Sequence, residues 1–213
     1  MKKLLIAAIV AGSLIGMQAM AAVSLFLGAG NLYESDGVTF APLNTVGLWI
    51  VDTSGGTSLT PTLTLGESIA LGATLAGTSD KIIDVEDANN SNFGVGGINF
   101  GISAAYGSGL GAGLASGQKF GIIWLINQSL SQTTTVAGQY GEFSDYAGAY
   151  SNPWILPADP TPLASYDMTT TANGGSVPES AGIANLTIVP EPSSIMLVVV
   201  GLLGGIGLIR RRS

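Results

Sequence analysis

The chain of 213 residues contains no cysteine and no histidine. Without cysteine, the fold cannot use disulfide bonds and must be held together by its own packing. The two absences also exclude zinc sites built on cysteine or histidine, and they exclude Ser-His-Asp and Cys-His catalysis. The commonest hydrolase chemistries are therefore ruled out before any motif is considered.

Basic residues are scarce, and most of them lie near the two ends of the sequence. Five of the seven lysines and arginines are found at Lys2, Lys3 and residues 210–212. Residues 22–189 contain two lysines and thirteen acidic residues, which gives a formal charge of −11. A surface of this charge repels nucleic acid and anionic lipid, so no nucleic-acid partner is expected. The length of this region is sufficient for one domain with its own core.

Residues 1–21 have the pattern of a signal peptide. A basic start is followed by an apolar stretch at residues 4–17. Ala19 and Ala21 supply the small residues that a signal peptidase reads, so cleavage is predicted before Ala22. The Sec translocon and signal peptidase are therefore expected partners. The alternative is an N-terminal membrane anchor that is never removed.

A proline-containing motif, an apolar segment and an arginine cluster follow one another at residues 189–212. The two prolines disfavour helix in the residues before them, so the motif is predicted to be extended and accessible. Residues 194–209 carry no charge and are predicted to form a single transmembrane helix with a reach of about 24 Å, slightly short of a bilayer core of about 30 Å. The arginines are expected to stay on the cytoplasmic side. The motif consists of Val189, Pro190, Glu191, Pro192 and Ser193, and the cluster of Arg210, Arg211 and Arg212.

This arrangement resembles the PEP-CTERM sorting signal of Gram-negative bacteria. The family pattern is V-P-E-P-S/T, then a glycine- and leucine-rich transmembrane segment, then terminal arginines, and VPEPS, LVVVGLLGGIGLI and RRR match it in order. The resemblance implies an exosortase substrate with a transient single-pass inner-membrane anchor, delivered afterwards to the cell surface or extracellular matrix. It covers about an eighth of the chain and so predicts where the protein is delivered, not what activity it has. The alternatives are an ordinary membrane anchor or a core helix that follows two prolines.

The residues between the two signals favour short β-strands separated by turn residues. The run at 119–127 is nearly continuous in apolar residues and is predicted to be a central strand, and Trp49 and Trp124 are predicted core partners, with sugar stacking as the alternative. We therefore predict an all-β fold, a small glycine-rich β-sandwich or barrel-like ectodomain, flanked by an N-terminal signal helix and a C-terminal single transmembrane helix. The predicted strands lie at residues 23–27, 46–51, 62–65, 81–85, 119–127, 136–143 and 183–189.

The predicted organisation has five parts. They are the signal peptide at 1–21, a β-rich ectodomain core at 22–168, a polar linker at 169–182, a last strand at 183–189 and the sorting signal at 190–213. Within the core, the glycine-rich residues 94–117 predict either a long loop or a set of tight strands. Their GxGxxG-like spacings are not a dinucleotide fingerprint, because no helix-forming run or distal acidic residue accompanies them.

Residues 84–92 are rich in carboxylate and amide oxygens, which are the ligands that calcium prefers. The glycine and terminal glutamate of an EF-hand loop are missing, so a solvated acidic loop is predicted and calcium binding is the alternative. No metal, cofactor or catalytic residue is assigned. The oxygen-bearing side chains are Asp84, Glu86, Asp87, Asn89, Asn90 and Asn92.

An aromatic-rich stretch lies among acidic residues and prolines at residues 140–166. Exposed aromatics beside Asp and Asn are typical of carbohydrate sites, but rings that fold back over the core are the favoured interpretation. The aromatics are Tyr140, Phe143, Tyr146, Tyr150, Trp154 and Tyr166.

Three functions are consistent with these patterns. The favoured one is a non-enzymatic structural or adhesive protein of the cell surface, biofilm or exopolysaccharide matrix, with exopolysaccharide as a partner. The second is a carbohydrate-binding module. The third is a glycosidase or lyase with paired carboxylates, which need no histidine. The carboxylates considered for it are Asp84, Glu86, Glu142 and Asp145.

Overall fold

The computed structural model describes residues 22–55, 61–88, 95–106, 109–150, 152–158, 164–171 and 175–190. The predicted signal peptide with Ala19 and Ala21, the segment 194–209 and the arginines at 210–212 lie outside these residues, as do Glu191, Pro192 and Ser193. Within the described ranges, no helix is long and apolar enough to cross a membrane.

The described residues form eight strands in two sheets, with order β4-β1-β7 in one and β3-β2-β5-β6-β8 in the other. Neighbouring strands are antiparallel except for the parallel pair β1 and β7. The prediction of an all-β fold is confirmed, and the two sheets form a sandwich rather than a closed barrel. The strands are β1 (Ala22–Gly30), β2 (Val46–Asp52), β3 (Asp80–Asp87), β4 (Ile98–Ala105), β5 (Phe120–Leu125), β6 (Gln139–Phe143), β7 (Ala164–Thr169) and β8 (Leu186–Thr187).

The main core lies between the two sheets. Leu25 and Leu27 of β1 point into it, whereas Phe26 between them is 51% exposed, as the two-residue period of a strand requires. The five-stranded sheet contributes Trp49 and Trp124, both fully buried. The prediction that these two tryptophans are core residues is confirmed.

The five-stranded sheet is buried on its second face as well. Every residue of β2 and β5 is buried, because residues 61–78, which we call the cover segment, pack on that face. Leu63, Ile69 and Leu75 of the cover segment contact the apolar side chains of the sheet in a second core cluster. Burial on both faces explains why the sequences of β2 and β5 are nearly continuous in apolar residues. The predicted strand at 62–65 belongs to this segment and forms only an isolated bridge at Thr64.

Two regions differ in detail from their sequence patterns. The glycine-rich residues contain the long strand β4 and a 3₁₀ turn at Gly109–Gly111. Of the predicted linker at 169–182, the described residues pack on the domain: Thr170 and Val177 are buried and bridge each other, and a second 3₁₀ turn spans Glu179–Gly182. The pattern at 183–189 corresponds to the short strand β8 and flanking bridges.

Candidate functional site

The last described residues, 186–190, start at the edge of the five-stranded sheet and cross to the cover segment. β8 pairs with β6 through Thr187 and Leu186. The next residue, Ile188, is buried, and its N–H donates to the Gly138 carbonyl at 2.9 Å. These contacts bring the chain to the outer layer of the second core cluster.

Val189 is the last of the described residues that this layer holds through its backbone. Its N–H donates to the Leu63 carbonyl at 3.0 Å, and its own carbonyl accepts from the Leu65 N–H at 2.8 Å. Pro190 cannot donate such a bond, because proline has no N–H. Pro190 is exposed. The first residue of the proline motif is therefore part of the folded domain, and the second is exposed at its surface.

The family model of the PEP-CTERM protein-sorting motif matches residues 189–212 of the chain. The chain carries a PEP-CTERM motif. The match begins at Val189, whose backbone is hydrogen-bonded to the cover segment, and it spans the apolar segment and the arginines named above. No curated protein and no solved structure matches the chain significantly.

The PEP-CTERM motif indicates an exported surface protein that is processed by an exosortase-type enzyme. The motif was predictable from sequence alone because its parts are adjacent in the chain. The backbone contacts of Val189 with residues 63–65 were not predictable, because they join segments more than a hundred residues apart.

Three of the six rings of the aromatic stretch are buried. Trp154 is fully buried and stacks on Phe120 with a centroid distance of 5.5 Å. The Tyr140 hydroxyl donates to the Pro61 carbonyl at 3.0 Å, and the Tyr166 hydroxyl donates to the Ile155 carbonyl at 3.1 Å. The favoured interpretation, rings that fold back over the core, therefore holds for these three.

Three further rings of the stretch are less buried. Tyr150 is 41% exposed, and Phe143 and Tyr146 are half-buried. Lys119 lies over the Tyr146 ring at 5.1 Å. The stretch therefore presents one exposed ring rather than a platform of several.

The acidic residues of β3 are used within the fold. The Asp84 carboxylate accepts from the backbone N–H groups of Val85 and Gly101, each at 3.0 Å, and so joins the edge strands β3 and β4 of the two sheets. Burial raises the pKa of Asp84. Burial and the neighbouring Asp84 also raise the pKa of Glu86. Within the described ranges, no group of three acidic residues is arranged to hold a metal ion.

Glu142 lies on β6, opposite Ile123 of β5. Its side chain is on the same face as Tyr140, two residues earlier, and this face is turned toward the cover segment. The Glu142 Oε2 atom is buried without a hydrogen-bond partner. Burial, followed by the charge of Asp80, raises the pKa of Glu142 to about 7. The Asp84 carboxylate, in contrast, accepts from the Gly101 N–H of the other sheet.

Asp145, the remaining candidate acid, organises the loop after β6. The side chain is 4% exposed and accepts from the N–H groups of Ala149 at 2.7 Å and Tyr150 at 2.9 Å. Its backbone carbonyl accepts from the Trp154 N–H at 2.8 Å, so the same residue holds Trp154 in the core. The structure thus gives Asp145 a local bracing role.

The bracing role predicts a loss of stability on substitution. Asp145→Asn keeps the shape of the side chain but removes one charged acceptor, and we expect the free energy of unfolding to fall by about 1–3 kcal/mol. Urea denaturation followed by tryptophan fluorescence measures the change. Asp167→Asn is the matched control, because Asp167 is exposed on β7 and should cost less than about 0.5 kcal/mol. Equal stability of the two variants would contradict the assignment.

Proposed function

We propose that the chain is the precursor of a non-enzymatic structural or adhesive protein of the cell surface or extracellular matrix, with exopolysaccharide as its partner. The observation that carries the proposal is at Val189, which is hydrogen-bonded to the folded acidic domain and is the first residue of the match to the PEP-CTERM motif. In this proposal the segment 194–209 anchors the precursor in the inner membrane until an exosortase-type enzyme cuts the chain.

The chemistry of the domain supports a structural rather than a catalytic role. The chain lacks histidine and cysteine, and among the candidate acids Asp84 and Asp145 are occupied by backbone N–H groups of the fold. The acidic charge of the domain favours solubility outside the cell and is suited to a hydrated matrix.

Processing is tested by substitution of the motif prolines. The full chain, carrying a tag between residues 22 and 23, is produced in cells with and without the processing enzyme. We expect the double variant Pro190→Ala and Pro192→Ala to reduce the surface fraction at least about tenfold and to accumulate as precursor, as the enzyme-free cells do. Pro178→Ala is the control, since Pro178 is an exposed proline outside the motif. Normal delivery of the double variant would contradict the proposal.

The adhesive part is tested separately on the matrix itself. Isolated exopolysaccharide is incubated with the released protein, and retention is compared between the native protein and Tyr150→Ala. Retention of both supports a structural or adhesive role that does not depend on this ring. If exopolysaccharide retains the native protein but not Tyr150→Ala, the result favours the carbohydrate-binding module instead. If it retains neither protein, the adhesive role is ruled out.

A further inference from the structure

One surface of this acidic domain carries almost no charge. The cover segment (61–78) and residues 129–138 and 186–190 contain a single charged residue, Glu67. Glu67 is 7% exposed, and its carboxylate accepts from the backbone N–H groups of Thr64 at 2.8 Å and Ala76 at 2.6 Å. We call the surface of these three segments the uncharged face.

The three segments are joined into one layer by backbone hydrogen bonds. The N–H of Ile69 donates to the Gln132 carbonyl at 2.9 Å, and the N–H of Gly66 donates to the Thr134 carbonyl at 3.0 Å. The bonds between Val189 and residues 63–65 add the end of the domain to the same layer. The layer lies over the second core cluster, so the three-stranded sheet is on the opposite side of the sandwich.

Apolar side chains are exposed on this layer. Leu71 is 58% exposed and Leu130 is 54% exposed, and both line an open groove of ≈ 380 Å³ beside Val85. Val136 and Val189 are 43% and 40% exposed. Exposed leucine and valine on a neutral surface are the side chains that partition into a membrane interface.

The length of chain beyond Val189 restricts where the domain can be. Only residues 190–193 separate Val189 from the apolar segment. The five Cα–Cα steps from Val189 to Ser194 span at most roughly 18 Å. The headgroup layer of a bilayer occupies about 5–7 Å of that distance. While residues 194–209 are in the membrane, the surface that carries Val189 must therefore lie at the membrane surface.

We propose that the uncharged face rests on the lipid bilayer while the precursor is anchored. The inference depends on the proposed membrane anchor at 194–209. The charge distribution supports a lipid surface as the occupant: anionic headgroups repel an acidic protein, and the face turned to them is the one without exposed charge. The acidic residues Asp36, Asp167 and Glu179 are exposed elsewhere on the domain.

Lipid proximity is measured with single-cysteine labels, which are unambiguous because the chain has no native cysteine. The full-length chain is reconstituted in vesicles of phosphatidylcholine and phosphatidylglycerol that contain a headgroup-attached quencher. Ser68→Cys and Thr133→Cys place a fluorophore on the uncharged face, and Ser165→Cys places it on the opposite sheet. All three residues are exposed. Stacked layers about 10 Å apart put Ser165 roughly 20 Å farther away.

The expected result is quenching at least about threefold stronger at Ser68 and Thr133 than at Ser165. Equal quenching at all three sites in vesicle-bound protein would overturn the proposal and leave the anchor intact. Failure of the full-length chain to float with vesicles would overturn both.

Charge substitution gives a second readout. We expect Leu71→Asp to reduce the quenching at Ser68 by about twofold in anionic vesicles and Leu71→Lys to preserve or increase it, because the two charges interact oppositely with phosphatidylglycerol. Val38→Asp is the matched control on a loop outside the uncharged face, where Val38 is 79% exposed. An equal response to the three substitutions would contradict a lipid contact at Leu71.

Discussion

Gly141→Ala is expected to lower the free energy of unfolding by about 3 kcal/mol. A Cβ atom at position 141 would lie 2.1 Å from Cζ2 and 2.3 Å from Cε2 of Trp124. Trp124 is fully buried on β5, near the middle of the five-stranded sheet. Because the ring is fully buried, the added methyl group would overpack the core, and overpacking of a filled core costs about 1–3 kcal/mol or more. A domain with a typical stability of about 5–15 kcal/mol would lose a large share of it.

Gly101→Ala is the matched control for this prediction. Both glycines lie within strands, and neither has a positive φ. At Gly101 the added methyl group would meet the exposed Phe26 ring at 3.4 Å, which is ordinary contact. We expect this variant to stay within about 0.5 kcal/mol of the native protein. Urea denaturation with tryptophan fluorescence compares the two, and equal losses would show that the contact with Trp124 is not responsible.

A double-mutant cycle then tests the contact itself. Trp124→Leu alone is expected to cost about 3–5 kcal/mol, because it leaves a cavity in the core. In Trp124→Leu with Gly141→Ala, the new methyl group no longer meets an indole ring. The double variant should therefore be more stable than the sum of the two single losses predicts, by at least about 1 kcal/mol. Additive losses would mean that the two residues do not interact.

Glu142 is expected to make the domain more stable in mild acid than at neutral pH. Its pKa is raised from 4.5 to about 7 by burial and by the charge of Asp80. Between these values the folded protein binds more protons at Glu142 than the unfolded chain, so the stability contribution is present below about pH 4.5 and is lost as the pH rises through about 7. Discounted for solvent screening of a half-buried group, the loss is on the order of 1–2 kcal/mol.

Glu142→Gln is expected to remove most of this pH dependence. The variant should match the native protein near pH 5 and exceed its free energy of unfolding by about 1–2 kcal/mol at pH 8. The free energy of unfolding of this variant should still fall with rising pH, but less steeply, since burial also raises the pKa of Asp80 and Asp84. Glu179→Gln is the control at an exposed site, and it should show the same dependence of the free energy of unfolding on pH as the native protein. An unchanged slope in Glu142→Gln would show that Glu142 is not its source.

Local apolar patterns predicted the strands that are buried on both faces. The runs at 46–51 and 119–127 correspond to β2 and β5, at the positions where continuous burial demands continuous apolar residues. The same pattern could not identify what covers the second face. The second face is covered by the cover segment. Its Thr-Leu alternation predicted a strand, but the segment pairs only through isolated bridges.

β7 was not predicted, although residues 164–169 alternate between exposed and buried side chains. Ser165 and Asp167 face outward while Tyr166 and Met168 enter the core. The prolines before this segment and its polar residues are typical of a loop, and its partner is the parallel strand β1, more than a hundred residues earlier. Pairing at that separation leaves no local signal. The buried positions of Glu67 and Glu142 likewise follow from the three-dimensional packing alone.

The intact mass of the protein recovered from the surface of cells that contain the processing enzyme tests the central claim most directly. If the chain is exported and then released at the PEP-CTERM motif, the mass corresponds to a polypeptide that starts at Ala22 and lacks residues 194–213. A mass that still includes Arg212, measured on protein that remains in the inner membrane of the same cells, would contradict the account.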